Sequence, residues 1–227
     1  MPHSDYIEIP LFPLPNVVLF PSVRLPLHIF EERYKTMIET CIDSESPFGV
    51  VLMSGEPERA SNIEKVGVLA RVVRVERLDD GRLNIVTEGE ERFRILELQE
   101  PQPFWRAVIE PVDDLDESGP ALEELQAEVG ELYIDAYKKG VELTGERPAE
   151  LELPDSASEL SFMVAYVLDM EFSDKQRLLE MTSAEDRLGA LIDNLKSANE
   201  NLRQQLHQKR TAEKARGNGD LGRPKGS

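Results

Sequence analysis

Five prolines, Pro10, Pro13, Pro15, Pro21 and Pro26, punctuate one apolar run near the start of the chain, "IPLFPLPNVVLFPSVRLPLHIFEERY". Proline has no N–H to give to a ladder and fixes its own φ, so a strand can hold it only at an edge, an end or a bulge. The run therefore divides into short strand pieces, "IPLF", "VVLF" and "LPLHIF", joined by bends. A segment built this way wraps around a core instead of crossing it once.

Beyond this run the chain is β-rich up to about residue 112. The runs 48–53, 66–78, 82–89, 92–98 and 104–112 are short, β-branched and largely alternating. Asp79-Asp80-Gly81 joins two of them as a hairpin, because glycine accepts the positive φ that a tight turn demands. One helix interrupts the series, "EERYKTMIETCID", with Tyr34, Met37, Ile38 and Cys41 on one face. The first half thus reads as mostly antiparallel β with one inserted helix.

The acidic stretch "DDLDESGP" marks a change of period from two to 3.6. Leu122, Leu125, Val129, Leu132 and Ala136 make one stripe, opened by Pro120 as a helix N-terminus prefers. Ser156 with Glu159, and Ser173 with Gln176, have the spacing of capping boxes. Another helix is expected from Ser183, long enough to carry Leu188, Leu191, Ile192, Leu195, Leu202 and Leu206. From His207 onward apolar residues nearly vanish, and a disordered basic tail is expected over 207–227.

Charge and composition remove several classes of function. The 227 residues carry a formal charge of -18, which repels a polyphosphate backbone or an anionic membrane. No apolar stretch approaches the ~20 residues that span a bilayer, and the apolar run is preceded by Asp5 and Glu8 instead of a basic signal-peptide start. The single cysteine, Cys41, has no disulfide partner within the chain, so a reducing, cytoplasmic setting is expected. Three histidines and one cysteine form no metal-ligand spacing, no G-x-x-x-x-G-K-[ST] phosphate loop is present, and neither a metal nor a cofactor is expected.

The opening run resembles the N-terminal domain of Lon proteases, in which an I-P-L-x-P-L strand, a V-V-x-F-P turn and an L-P-L element lead into a charged helix. Val66-Gly67, Asp80-Gly81-Arg82, Glu88-Gly89 and Arg92-Phe93 come after it in the family's order, and "DKQRLLEMTSAEDRLGALIDNL" is similar to its helical part. The resemblance covers roughly residues 6–206. It implies an α+β fold: a PUA-like, mostly antiparallel β-barrel subdomain over 1–115 with one inserted helix, then a C-terminal α-helical bundle over 116–206. A complete Lon protease continues into ATPase and peptidase domains, which this sequence lacks, so a non-enzymatic binding module is expected. Its expected clients are exposed apolar segments of unfolded or degron-bearing polypeptides, with a protease or chaperone as a possible receiving partner and no role for ATP.

The candidate binding residues are His28, Phe30, Glu32, Arg33, Phe104 and Trp105. His28 either projects into a groove or is a hydrogen-bonded structural histidine, and the pattern favours the latter. Phe104 and Trp105 are adjacent in a strand, so one could face outward as a peptide anchor; two packed aromatics is the plainer reading. Glu31, Glu32 and Arg33 open the inserted helix, where the acids suit its positive end without any further role. An alternative function is RNA binding by a PUA-like barrel through the basic tail, since residues 201–227 hold seven Lys/Arg and two Asp/Glu against 19 and 42 in the rest.

Overall fold

The computed structural model describes residues 7–55 and 59–219. The chain divides into two compact units, Met1–Glu117 with Ser161–Ala184, and Ser118–Leu160 with Glu185–Ser227. The expected cut after residue 115 lies beside the first crossing between them. The helical half is not one block, because the stretch from Ser161 to Ala184 returns to the unit that holds the sheet.

The first unit contains β1 (Ile7–Pro15), β2 (Arg24–Ile29), helix α1 (Glu32–Asp43), β3 (Phe48–Met53), a 3-10 turn at Ala60–Asn62, β4 (Val66–Arg77), β5 (Leu83–Gln99) and β6 (Arg106–Pro111). Their order in the sheet is β2-β5-β4-β3-β1-β6. Every pairing is antiparallel except β1 with β3. The α+β class and the inserted helix stand as expected, but the sheet is not a closed barrel. It curls until β6 meets the far half of β5, while β2 pairs with β5 alone and keeps an open edge. The reason is the length of β5, whose 17 residues serve β2 with one half and β6 with the other.

Two runs read separately at 82–89 and 92–98 are one strand, β5, because Gly89 keeps the chain extended where another segment crosses it. A Cβ there would lie 2.3 Å from the carbonyl oxygen of Phe20. The turn after Phe20 is clasped to the same point: Ser22 N–H donates to Gly89 O at 2.8 Å and Gly89 N–H to Val23 O at 2.9 Å. "VVLF" is correspondingly no strand. Val18, Leu19 and Phe20 are buried without ladder partners of their own, next to the turn clasped to Gly89.

One core cluster is Ile9, Leu11, Val51, Ile63, Phe93, Ile95, Trp105, Ala107 and Ile109. On another side, the predicted α1 stripe of Tyr34, Met37, Ile38 and Cys41 is buried, with Phe12 and Tyr34 4.3 Å apart between ring centres. Helix α4 (Phe172–Glu180) and the second part of α3 (Ala157–Val167) also belong to this unit. They are gathered by Arg92, whose side chain is buried and donates to the carbonyls of Leu179 at 2.8 Å and Met181 at 2.6 Å. Asp114 pairs with the same guanidinium, which also lies 5.2 Å from the Phe162 ring centre. The capping box expected at Ser173 is not formed. Glu171 precedes the first turn without a side-chain cap bond, and Gln176 turns inward to donate to Val66 O at 3.0 Å. At Ser156 the cap does form, with Glu159 N–H reaching its Oγ at 3.4 Å.

The second unit is built on α2 (Pro120–Thr144) and α5 (Ala184–Gly219). Proline stands in the first turn of α2 and Gly145, at φ 81°, ends it. The partners Asn199 and Leu132, Lys209 and Glu142, and Arg210 and Glu142 are 67, 67 and 68 residues apart, so the two helices run parallel at constant offset. Leu188, Leu191, Leu195 and Leu206 are buried along α5. Residues 207–219, expected to be disordered, continue this helix; residues 220–227 lie outside the described residues. The basic side chains explain the extension, since Lys209 Nζ donates to two last-turn carbonyls of α2, at 3.2 Å to Glu142 and 3.0 Å to Leu143.

Candidate functional site

The register of three strands builds a shallow trough on the sheet of the first unit. Pro26, Val86 and Arg74 stand side by side across β2, β5 and β4, and His28, Asn84 and Glu76 form the next row. A cavity of about 380 Å³ lies over both rows; Leu27 and Ile85 border it from between them, while the period of two leaves Pro26 and Val86 as its apolar side chains. The second row is a hydrogen-bonded ladder. Asn84 Oδ1 accepts from His28 Nδ1 at 2.8 Å and Asn84 Nδ2 donates to Glu76 at 3.0 Å. With its Nδ1 proton committed, the His28 ring offers Nε2 as an acceptor to Arg82, 3.3 Å away.

Arg82 is in turn fixed by Asp80, through its side chain at 2.7 Å and its backbone N–H at 3.1 Å. These hydrogen bonds from Arg82 hold the Asp80 carboxyl down at about 2. The hairpin tip therefore orients the trough, and Gly81 makes the tip possible with its φ of 80°. Arg74 is different from its neighbours: Arg71 pairs with Glu90 and Arg77 with Glu39, while Arg74 has no ion pair among the described residues.

At the end of β2, Phe30 is 62% exposed and stacks on His28 with ring centres 6.1 Å apart. An aromatic this exposed, beside an apolar floor, has burial energy to offer a ligand. Glu32 and Arg33 lie at the start of α1, but their charges are engaged locally, Glu32 with Lys35 at 2.6 Å and Arg33 with Glu31 at 2.8 Å. Arg33 also lies over the Tyr34 ring. Phe104 and Trp105 are elsewhere and are 9% and 4% exposed, so neither presents a surface. The structure thus brings together His28 and Phe30, and adds Arg74, Glu76, Arg82, Asn84 and Val86. The outward alternation of β4 and β5 about Gly81 was the signal in the sequence for those five.

The free edge of β2 beside this trough is a poor template for an added strand. Gly89 N–H donates to Val23 O, and the period of two then turns Leu25, Leu27 and Ile29 toward β5 and Arg24, Pro26 and His28 outward. Pro26 has no N–H to give there. Contact over the trough by side chains is favoured over main-chain pairing at its rim.

The profile of the ATP-dependent protease La (LON) substrate-binding domain matches residues 8–197. The chain belongs to this family. It is 30% identical to a Lon protease 2 of Herpetosiphon aurantiacus over 193 residues, which are 82% of this chain and 23% of that protein. With the Lon protease of Escherichia coli the identity is 26% over 202 residues, 86% of this chain and 25% of the relative. The chain therefore spans about a quarter of the length of these curated relatives. A Lon N-terminal domain protein from Xanthomonas campestris shares the fold at a TM-score of 0.61 and 23% identity, covering 82% of this chain and 98% of the other. The N-terminal domain of the Mycobacterium avium complex Lon protease does so at 0.63 and 20%, with 84% and 98% covered. Among the described residues no helix is long and apolar enough to cross a membrane.

Proposed function

We propose that this Lon-family substrate-binding domain captures exposed apolar segments of unfolded or degron-bearing polypeptides over the trough, without cleaving them. The observation that carries the reading is the exposed Phe30, stacked on His28 at the head of an apolar floor, in a chain whose family is defined by substrate binding. Phe30 is the anchor, Pro26 and Val86 receive apolar side chains, and Arg82 with the His28–Asn84–Glu76 ladder keeps the floor rigid. The client is then available to a protease or chaperone partner in the cytoplasm. ATP has no part in the capture, in keeping with the lack of a phosphate loop in the sequence. The RNA reading loses two of its cations, because Lys209 and Arg210 are engaged with α2.

The test is fluorescence anisotropy with a labelled, permanently unfolded polypeptide, run with and without ATP, beside assays of client cleavage and ATP turnover. Binding in the micromolar range is expected, roughly 8 kcal/mol, because a small site must offset the ordering of a flexible client. It should be indifferent to ATP and leave the client intact. No anisotropy change with several unrelated clients, or cleavage that tracks the protein through purification, contradicts the proposal.

A further inference from the structure

The first unit holds a second, larger cavity that the trough does not use. It measures about 640 Å³ and lies at the carboxyl ends of the parallel pair β1 and β3, where Pro15 is the register partner of Met53. Pro15, Leu52, Met53 and Phe172 supply apolar wall, and Phe172 remains 38% exposed. The polar wall combines the carboxylates of Glu64 and Glu180 and the amide of Gln176 with Asn16, Ser54 and Ser173, whose groups can both donate and accept. Glu64 has no ion pair among the described residues, and Glu180 accepts only the amide of Gln176, at 2.9 Å. Arg177 also borders the cavity, with its charge paired to Asp174 at 3.2 Å.

Gln176 is the informative residue. It is 4% exposed, and its Nε2 is spent on Val66 O and Glu180. Its Oε1 is buried with no hydrogen-bond partner. A buried amide oxygen left over in this way costs about 1–3 kcal/mol, and turning the amide round would only set oxygen against two acceptors. The missing group is a donor. Two carboxylates and an orphan acceptor beside apolar wall call for a ligand with several N–H groups, a positive charge and an aliphatic stem.

We propose that this cavity is a specificity pocket for an arginine side chain of the bound polypeptide. A guanidinium offers five donors in a planar fork and binds carboxylates in the geometry two glutamates can supply, while its stem packs on Phe172 and Met53. The inference rests on the polypeptide-binding reading and adds the class of side chain selected. Clients of this domain would then carry arginine near an apolar segment, which also suits a chain of charge -18.

Two kinds of measurement separate this inference from the reading beneath it. In the first, labelled apolar peptides with a single arginine are compared with the same peptides carrying citrulline, its uncharged isostere, or lysine. The arginine peptide should bind at least about fivefold tighter than the citrulline peptide, with lysine between them. Glu64→Gln and Glu180→Gln should remove that preference and leave citrulline binding unchanged, whereas Phe30→Ser should weaken both peptides alike. Equal binding of the arginine and citrulline peptides overturns the pocket and leaves polypeptide capture standing. In the second, N-acetyl-arginine methylamide alone is titrated while the Met53 methyl signal is monitored by NMR. A saturable shift lost in Glu180→Gln is expected, and no shift with the wild-type protein, whatever the peptides do, overturns the pocket.

Discussion

Phe30 and Trp105 are both aromatic residues in the β-rich half, and the molecule spends them in opposite ways. Trp105 is packed among Ile9, Leu11, Phe93 and Ile109, while Phe30 is left in water. Trp105→Ser should therefore cost about 3–5 kcal/mol of stability, read as a lower denaturant midpoint. Phe30→Ser should leave that midpoint within about 0.5 kcal/mol, because the ring is exposed in the folded protein and has little buried area to lose. At the hairpin tip, Asp80 gives a pH prediction. Its folded carboxyl sits at about 2, below the ~3.9 of an unfolded aspartate. The contribution of the Asp80–Arg82 pair is thus complete above roughly pH 4 and disappears as pH falls through about 2. The Asp80 carboxyl carbon in an NMR titration should show that low midpoint, and Arg82→Gln should return it to the ordinary range. Sequence alternation placed Phe104 and Trp105 on opposite faces of a strand, but β6 begins only at Arg106, and both rings are buried in the bend before it. His28 was legible as a hydrogen-bonded histidine; its partners Asn84 and Arg82 are over 50 residues away and needed the register.

At the level of elements, the prolines, the hairpin at Gly81 and the α1 stripe were written plainly, because each is a local rule of backbone or period. Elements held by distant partners were not. The failed cap at Ser173 and the buried Gln176 beside it result from Val66, more than 100 residues earlier, which local spacing cannot reveal. The same holds for Arg92, an ordinary surface residue by pattern that the fold buries to tie α4, Phe162 and Asp114 to β5. Removing it leaves two carbonyls and a carboxylate without their cation. Arg92→Ala should destabilise the protein by about 3–5 kcal/mol, and Arg92→Lys should recover little, since one ammonium does not replace a planar fork. Thermal and denaturant unfolding read this directly; a change below about 1 kcal/mol would show that Arg92 is not the tie. In the second unit, Lys209→Ala should fray the end of α5, seen as faster amide exchange beyond Leu206, with the Leu188–Leu195 segment unchanged.

For the whole molecule, the expected two-part division missed that the sheet's unit is assembled from two separate stretches of chain. The acidic linker announced the first crossing, but α3 is a single helix in which Leu160 falls in one unit and Ser161 in the other, and no composition shift marks that point. A fragment ending at residue 117 lacks α4, and with it Leu178, Leu179 and the carbonyl acceptors of Arg92. It should be poorly folded, while a chain ending after Ala184 retains every part of the first unit; a fragment 1–117 as stable as the full protein would contradict this. We further propose that the units unfold in one transition, since melting either one breaks the shared helix α3. Capture of apolar segments at the Phe30 surface is read by calorimetric titration of a reduced, carboxymethylated client, at two temperatures, with wild-type protein and Phe30→Ser. A negative heat-capacity change, weak dependence on moderate salt and about tenfold weaker binding by the stably folded variant, equivalent to about 1.4 kcal/mol, are expected. Undiminished affinity of Phe30→Ser, or binding that vanishes at moderate salt with no heat-capacity change, would contradict capture at that surface.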